Sequence, residues 1–131
     1  MARTILIVDD EEATAFGLQS LLEGPDSKVL TAGTFEDALA LIGDWAFDVA
    51  LLDVRLGSTG DEAGLAILRH LKAHSPGTRV ILMTGFGKPS VMEESFRLGV
   101  DYYFEKPIRL ETLMSVVLTV DQPSGRREGT P

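Results

Sequence analysis

The side chains best suited to chemistry in this sequence are polar residues that directly follow short apolar segments. Five of them stand at the ends of four such segments: Asp9, Asp10, Asp53, Thr84 and Lys106. Buried parallel strands read as nearly continuous apolar runs. Open α/β sheets build their sites beyond the carboxyl ends of their strands. If these segments are parallel strands, the five side chains meet at one edge of a sheet.

Three carboxylates brought together at such an edge need a compensating charge. At a separation of ~4 Å and an effective dielectric constant of 20, each pair repels by about 4 kcal/mol. The cluster therefore takes up a proton or a cation. Oxygen ligands favour a hard ion such as Mg²⁺, which binds one or two carboxylates together with water and phosphate oxygens. With the cation of Lys106 and the hydroxyl of Thr84, the set indicates a site that accepts a phosphoryl group on an aspartate.

The elements that must position these residues follow from five alternations of an apolar segment with a helical pattern. This alternation predicts an α/β fold with parallel strands and right-handed crossovers. Helix signals include capping boxes at Thr34–Asp37 and at Ser90–Glu93. Leu21 is expected on the buried stripe of the first helix, and Leu110 on that of the last. The predicted strands cover residues 4–8, 28–32, 47–53, 78–83 and 100–104.

Composition limits the classes of protein that remain. The 131 residues include no cysteine and carry a formal net charge of −8. Disulfides, thiolate zinc sites and cysteine nucleophiles are therefore excluded. The negative charge disfavours binding to nucleic acid or anionic lipid. No apolar run approaches the ~20 residues of a membrane span, and no signal-peptide pattern is present. We expect a cytoplasmic protein that binds neither nucleic acid directly nor a membrane.

These residues also match a known family. Asp9-Asp10, Asp53, Thr84-Gly85 and Lys106-Pro107, set within five βα units, resemble the receiver domain of two-component response regulators. The resemblance covers residues from about 4 to 121, and we assign 1–121 to the domain. It implies a flavodoxin-like, doubly wound (βα)5 sandwich with strand order 2-1-3-4-5. Residues 122–131 lack apolar side chains and predict a disordered tail or the start of a linker.

The resemblance implies a role for each site residue. Asp53 would be the phosphoacceptor, taking the phosphoryl group from a phosphohistidine of a sensor histidine kinase or phosphotransfer domain. Asp10 would bind Mg²⁺ (or Mn²⁺) directly and Asp9 mainly through water, and Asp53 and the backbone carbonyl of Arg55 would complete the metal site. The protein would be a signalling switch that catalyses only its own phosphotransfer and dephosphorylation.

Four further features follow from the same resemblance. Thr84 and Lys106 would bind phosphoryl oxygens. Tyr103 would be the aromatic switch, turning inward as Thr84 moves toward the phosphoryl group. The Lys106-Pro107 peptide bond would be cis. The output would be a change of partner through the face formed by helix 4, strand 5 and helix 5.

The loop after Asp53 departs from the family pattern. Gly57 replaces the usual proline, and the matching glycine is Gly64, which implies about three extra residues at the rim of the site. Arg55 and Phe86 stand at positions that in the family influence access of the hydrolytic water. We expect these bulky side chains to slow dephosphorylation.

Other interpretations remain open at this stage. A haloacid-dehalogenase-type enzyme also uses an aspartate nucleophile with Mg²⁺, but it requires a second Asp where this chain has Arg55. A degenerate receiver that only binds a partner is disfavoured by the intact acids, Thr84 and Lys106. His70 and His74 lie four residues apart on a predicted helix, and we interpret them as an exposed face and not as a metal site. The output partner, and whether the chain is a stand-alone receiver or a piece of a longer regulator, do not follow from the sequence.

Overall fold

The computed structural model describes residues 3–56, 62–85 and 87–120, in which five parallel strands form one sheet in the order β2-β1-β3-β4-β5. This is the predicted doubly wound α/β fold, so the fold prediction is confirmed. The strands are β1 (Arg3–Val8), β2 (Ser27–Ala32), β3 (Val49–Asp53), β4 (Arg79–Thr84) and β5 (Tyr102–Glu105), and the helices are α1 (Glu12–Leu22), α2 (Phe35–Asp44), α3 (Glu62–His74), α4 (Pro89–Arg97) and α5 (Leu110–Val120).

The central strands are apolar throughout because helices cover both of their faces. All five residues of β3 are buried, and so are the last four residues of β1. Alternate side chains of each strand point to opposite faces, which gives two separate hydrophobic clusters. One cluster packs the sheet against α2, α3 and α4, and the other packs it against α1 and α5. This two-sided burial fixes the sheet between helical layers.

The register of the strands brings their carboxyl ends to one edge. Val8 pairs with Leu52, and Thr84 pairs with Glu105. The amide of Asp9 donates a hydrogen bond to the carbonyl of Ala32 at 3.0 Å, which fixes the residue directly after β1. The polar residues at the carboxyl ends of β1, β3, β4 and β5 therefore emerge at the same edge, as parallel pairing requires.

The two predicted capping boxes had different outcomes. The Thr34 hydroxyl accepts a hydrogen bond from the Asp37 amide at 3.1 Å, so the first capping box correctly placed the start of α2. The capping box at Ser90 was wrong: α4 begins at Pro89, the N-cap is Lys88, and it makes no side-chain cap. Proline favours the first helical position because its φ is fixed and it needs no amide partner there. Ser90 therefore lies inside the first turn.

Two leucines expected on buried stripes are exposed instead. Leu21 is 45% exposed, because it lies about 100° around α1 from buried Leu22. Leu110 is 49% exposed and is the first residue of α5, whose buried face begins one turn later at Leu113.

Several predictions concern residues that the structure does not describe. Gly57, Phe86 and the tail at 122–131 lie outside the described residues, so their predicted roles remain predictions. Among the helices that are described, none is both long and apolar enough to cross a membrane.

Candidate functional site

Three aspartates converge at the carboxyl edge of the sheet. Asp9 and Asp10 lie between β1 and α1, and Asp53 is the last residue of β3. One carboxylate oxygen from each lies within 4.8 Å of the others. Asp9 is 2% exposed and Asp53 is 8% exposed, whereas Asp10 is exposed to solvent. The cluster is therefore a largely buried concentration of negative charge that opens to solvent at Asp10.

Asp9 has a buried carboxylate whose negative charge is only partly compensated. Its Oδ1 accepts a hydrogen bond from the Glu11 amide at 2.9 Å, but its buried Oδ2 has no hydrogen-bond partner among the described residues. Burial raises the pKa of Asp9, and repulsion by Asp53 and Asp10 adds to this effect, while the Glu11 amide and Lys106 partly oppose it. A buried carboxylate oxygen without a donor fits a cation ligand, and the all-oxygen set fits a hard ion such as Mg²⁺.

Lys106 supplies the positive charge at the site. Its Nζ donates a hydrogen bond to Oδ2 of Asp53 at 3.1 Å and lies 3.7 Å from Oδ2 of Asp9. Burial alone lowers the pKa of Lys106, but the hydrogen bond and charge of Asp53, with smaller contributions from Asp9 and Glu11, raise it overall. The ammonium therefore stays protonated beside the carboxylates. The Lys106-Pro107 peptide bond is cis.

Thr84 and Arg55 lie on either side of the same edge. Thr84 is the last residue of β4 and is buried, and its carbonyl accepts a hydrogen bond from the Lys106 amide at 2.7 Å. The end of β4 is thus hydrogen-bonded to Lys106, the residue whose side chain contacts Asp53. The Arg55 amide donates to Oδ1 of Asp53 at 3.3 Å, while the Arg55 side chain is exposed.

Tyr103 lies on β5, half-buried, at the side of the sheet that faces α4. Its ring centroid is 6.2 Å from that of Phe96, with the two rings tilted by 41°. Phe96 is 56% exposed and was not among the residues predicted from the sequence. The sequence shows an aromatic residue on a predicted helix, but only the fold places it beside Tyr103.

The histidine pair on α3 lies away from this chemistry. The His70 and His74 rings stack with centroids 4.2 Å apart, and Nδ1 of His74 lies 3.0 Å from the carbonyl oxygen of His70. Within the described part of the chain, Asp9, Asp10 and Asp53 form the group of three or more ligand side chains with metal-binding spacing, and neither histidine belongs to it.

An open cleft gives access to the acidic cluster from one side. It runs between α1 and the start of α2, and its lining includes Asp9, Asp10, Phe16, Gly33 and Asp37. Of the two clustered aspartates in this lining, Asp10 is exposed to solvent and Asp9 is buried.

Comparison with known proteins identifies the class of protein that this fold and site define. Residues 5–118 match the family described as "Response regulator receiver domain". The chain therefore belongs to the response regulator receiver family of two-component systems, whose members are signalling switches.

Individual relatives agree with this assignment. The transcriptional regulatory protein ZraR of Salmonella typhimurium (strain LT2) is 33% identical over 113 residues, which is 86% of this chain and 25% of the relative. The regulatory protein AtoC of Escherichia coli (strain K12) is 34% identical over 119 residues, which is 86% of this chain and 24% of the relative. The chain thus spans about a quarter of the length of these curated relatives.

Solved structures show the same architecture. A CheY-like receiver domain protein from Methanospirillum hungatei JF-1 superimposes with a TM-score of 0.82 at 29% identity, covering 92% of this chain and 95% of that chain. A response regulator from Burkholderia pseudomallei, solved with a phosphorylated aspartic acid, calcium ion and citrate, gives a TM-score of 0.78 at 26% identity, covering 94% of this chain and 68% of that chain.

Proposed function

We propose that this receiver domain accepts a phosphoryl group on Asp53 from the phosphohistidine of a sensor histidine kinase or phosphotransfer domain. The observation that carries the proposal is the convergence of Asp9, Asp10 and Asp53 within 4.8 Å, with Nζ of Lys106 3.1 Å from Asp53. Family membership supports it, as does the phosphorylated aspartic acid of the Burkholderia pseudomallei relative.

The transfer is a displacement at phosphorus. A carboxylate oxygen of Asp53 attacks, the new P–O bond forms, and the P–N bond to the donor imidazole breaks. The electron pair of the broken bond stays on the imidazole nitrogen. Charge on the transferring oxygens is stabilised by Lys106, and the Thr84 hydroxyl donates to the phosphoryl group once it is bound. Thr84 is the last residue of β4, and Lys106 directly follows β5.

The site also has the ligands for a divalent cation, Mg²⁺ or Mn²⁺. The carboxylates of Asp9, Asp10 and Asp53 and the backbone carbonyl of Arg55 would hold it. When bound, the ion supplies positive charge that offsets both the carboxylates and the phosphoryl oxygens. The buried Oδ2 of Asp9 supports this assignment, because burial leaves it without a hydrogen-bond donor among the described residues.

The output is a change in which partner the domain binds. A phosphoryl group adds roughly two negative charges to Asp53, and it shifts a conformational equilibrium only by binding one state better. Thr84 and Lys106 share a backbone hydrogen bond, and Tyr103 contacts Phe96 on α4. The elements α4, β5 and α5 also carry exposed apolar side chains, which favour a protein partner: Met92, Phe96, Tyr102, Leu110 and Leu118.

We propose that the domain is a cytoplasmic switch, and its net charge of −8 disfavours direct binding to nucleic acid or to an anionic membrane surface. The output partner would then be a protein or a further domain that contacts the α4-β5-α5 face.

Phosphorylation by a small donor tests this function directly. We expect the protein, incubated with acetyl phosphate and Mg²⁺, to gain the mass of one phosphoryl group and to lose it in hydroxylamine. Asp53→Asn should gain none. Asp44→Asn is the matched control, since Asp44 is an exposed residue at the far end of α2. No gain of mass in the folded wild-type protein, or undiminished labelling of Asp53→Asn, would contradict the proposal.

A further inference from the structure

The first turn of α3 lies directly against the backbone of the residue that carries the site, and Gly64 forms the contact. The Gly64 amide donates a hydrogen bond to the carbonyl oxygen of Val54 at 3.0 Å. A Cβ added to Gly64 would lie 2.6 Å from the carbonyl oxygen of Asp53 and 2.6 Å from Cα of Val54. Ordinary contacts of a Cβ begin at 3.4 Å. Only glycine therefore fits here without a displacement of backbone.

The backbone on the other side of this contact is also held. The Val54 amide donates to the carbonyl of Met83 on β4 at 2.9 Å, and Val54 is buried. The Arg55 amide in turn contacts Oδ1 of Asp53 at 3.3 Å. The peptides from Asp53 to Arg55 thus lie between β4 and α3. A side chain at position 64 would push them as a unit, because the atoms it meets belong to backbone and cannot rotate away.

We infer that Gly64 is a positioning residue for Asp53: the absence of a side chain lets α3 hold residues 53–55 in the geometry that phosphoryl transfer needs. This inference rests on the proposed function of Asp53. The contact assigns Gly64 a physical task that its position in the sequence did not reveal. The same peptides carry the Arg55 carbonyl, so Gly64 also sets the geometry of the cation ligands.

Gly64→Ala and Gly43→Ala make a matched pair of variants. Both replace a helical glycine by alanine, but a Cβ at Gly43 would meet nothing within 4 Å. For Gly64→Ala we expect the rate of phosphorylation by acetyl phosphate to fall roughly 10- to 100-fold, since displacements near 1 Å cost about that much in positioned reactions. We expect its affinity for Mg²⁺ to fall as well. Gly43→Ala should keep both values.

The readouts separate this inference from the proposed function. If the wild-type protein takes up no phosphoryl group, the proposed function fails, while the Mg²⁺ affinities and the amide resonances of Val54 and Arg55 still test Gly64. We expect those two resonances to shift in Gly64→Ala and to stay in place in Gly43→Ala. A folded Gly64→Ala protein with wild-type phosphorylation, Mg²⁺ affinity and amide resonances would overturn the inference.

A measurement on the wild-type protein covers the case in which Gly64→Ala does not fold. Because the cation and the first turn of α3 order the same peptides, Mg²⁺ should slow hydrogen exchange at the Gly64 amide by several-fold. The Gly43 amide serves as the internal reference. Equal exchange at Gly64 with and without Mg²⁺ would count against a shared geometry and overturn the inference.

Discussion

Asp9 carries a buried carboxylate whose negative charge is only partly compensated by its neighbours. Its carboxylate is buried beside two other acids, and one of its oxygens has no hydrogen-bond donor among the described residues. Lys106 offsets part of this charge from 3.7 Å. A bound cation would offset the remaining negative charge, so we expect Asp9 to lower the stability of the metal-free protein and to favour binding of the ion.

Asp9→Asn should therefore stabilise the metal-free protein while weakening its binding of Mg²⁺. Removing the buried charge is expected to raise the free energy of unfolding, because an uncharged amide is less costly to bury than a carboxylate. Chemical denaturation without Mg²⁺, followed by a Mg²⁺ titration, measures both effects. Asp44→Asn should change neither; a less stable Asp9→Asn protein with unaltered Mg²⁺ affinity would count against the account.

The raised pKa of Asp9 also predicts how pH acts. In the metal-free protein the folded state binds this proton more tightly than the unfolded state, so stability falls as pH rises from the ordinary value of 3.8 through the raised pKa. Mg²⁺ competes with the same proton, and its affinity should rise over that window. Denaturant titrations and Mg²⁺ titrations at a series of pH values test this prediction. A loss of stability whose midpoint lies below pH 3.8 would contradict it.

Substitution of Lys106 tests the role of the positive charge at the site. Lys106→Ala removes the ammonium that contacts Asp53 at 3.1 Å. We expect phosphorylation by acetyl phosphate to slow roughly 100- to 1,000-fold, as for other preorganised electrostatic contacts. The phosphorylated variant should also fail to switch its partner. Lys28→Ala, in which the lost ammonium lies over the Trp45 ring, is the control. Normal switching by Lys106→Ala would argue against the assignment.

At the scale of the elements, the sheet was easier to predict than the surfaces of the helices. β1, β3 and β4 are buried on both faces, so their apolar runs identified them, and parallel pairing then brought their polar ends together. The start of α4 was mispredicted because Pro89 determines it locally. The family resemblance identified Gly64, but its packing on Val54 is a contact between separate elements that apolar periodicity does not predict.

The face formed by α4 and β5 should respond to phosphorylation more than the rest of the surface. Phe96 contacts Tyr103 across these two elements. We expect beryllium trifluoride with Mg²⁺ to change hydrogen exchange in α4 and β5 and to leave α2 unchanged. Phe96→Ala should reduce the change of hydrogen exchange in α4, while acetyl phosphate still phosphorylates Asp53. Phe16 is an exposed phenylalanine on α1, and Phe16→Ala should leave the change in α4 as it is in the wild-type protein. An equal response in α2 would contradict this view of the switch.

At the scale of the whole molecule, the cation should add to global stability. A ligand that binds only the folded state stabilises it by about 2.7 kcal/mol at a concentration 100 times its dissociation constant. We expect Mg²⁺ to raise the melting temperature, and a chelator to reverse the rise. The gain should be smaller in Asp53→Asn and unchanged in Asp44→Asn. An equal gain in Asp53→Asn would place the ion elsewhere.

The overall architecture agrees with a domain that works within a larger signalling system. Its relatives ZraR and AtoC are about four times as long as the matched region. The described surface offers an acidic cleft at one edge and an apolar face on α4, β5 and α5.

The most direct test of the central claim is chemical trapping of the phosphoryl group. Borohydride reduces an aspartyl phosphate to homoserine, which marks the modified position permanently for peptide sequencing by mass spectrometry. After exposure to a phosphorylated donor and Mg²⁺, the account predicts homoserine at position 53 and at no other aspartate. Homoserine at Asp9, Asp10 or Asp48, or none at all under conditions that leave the protein folded, would contradict it.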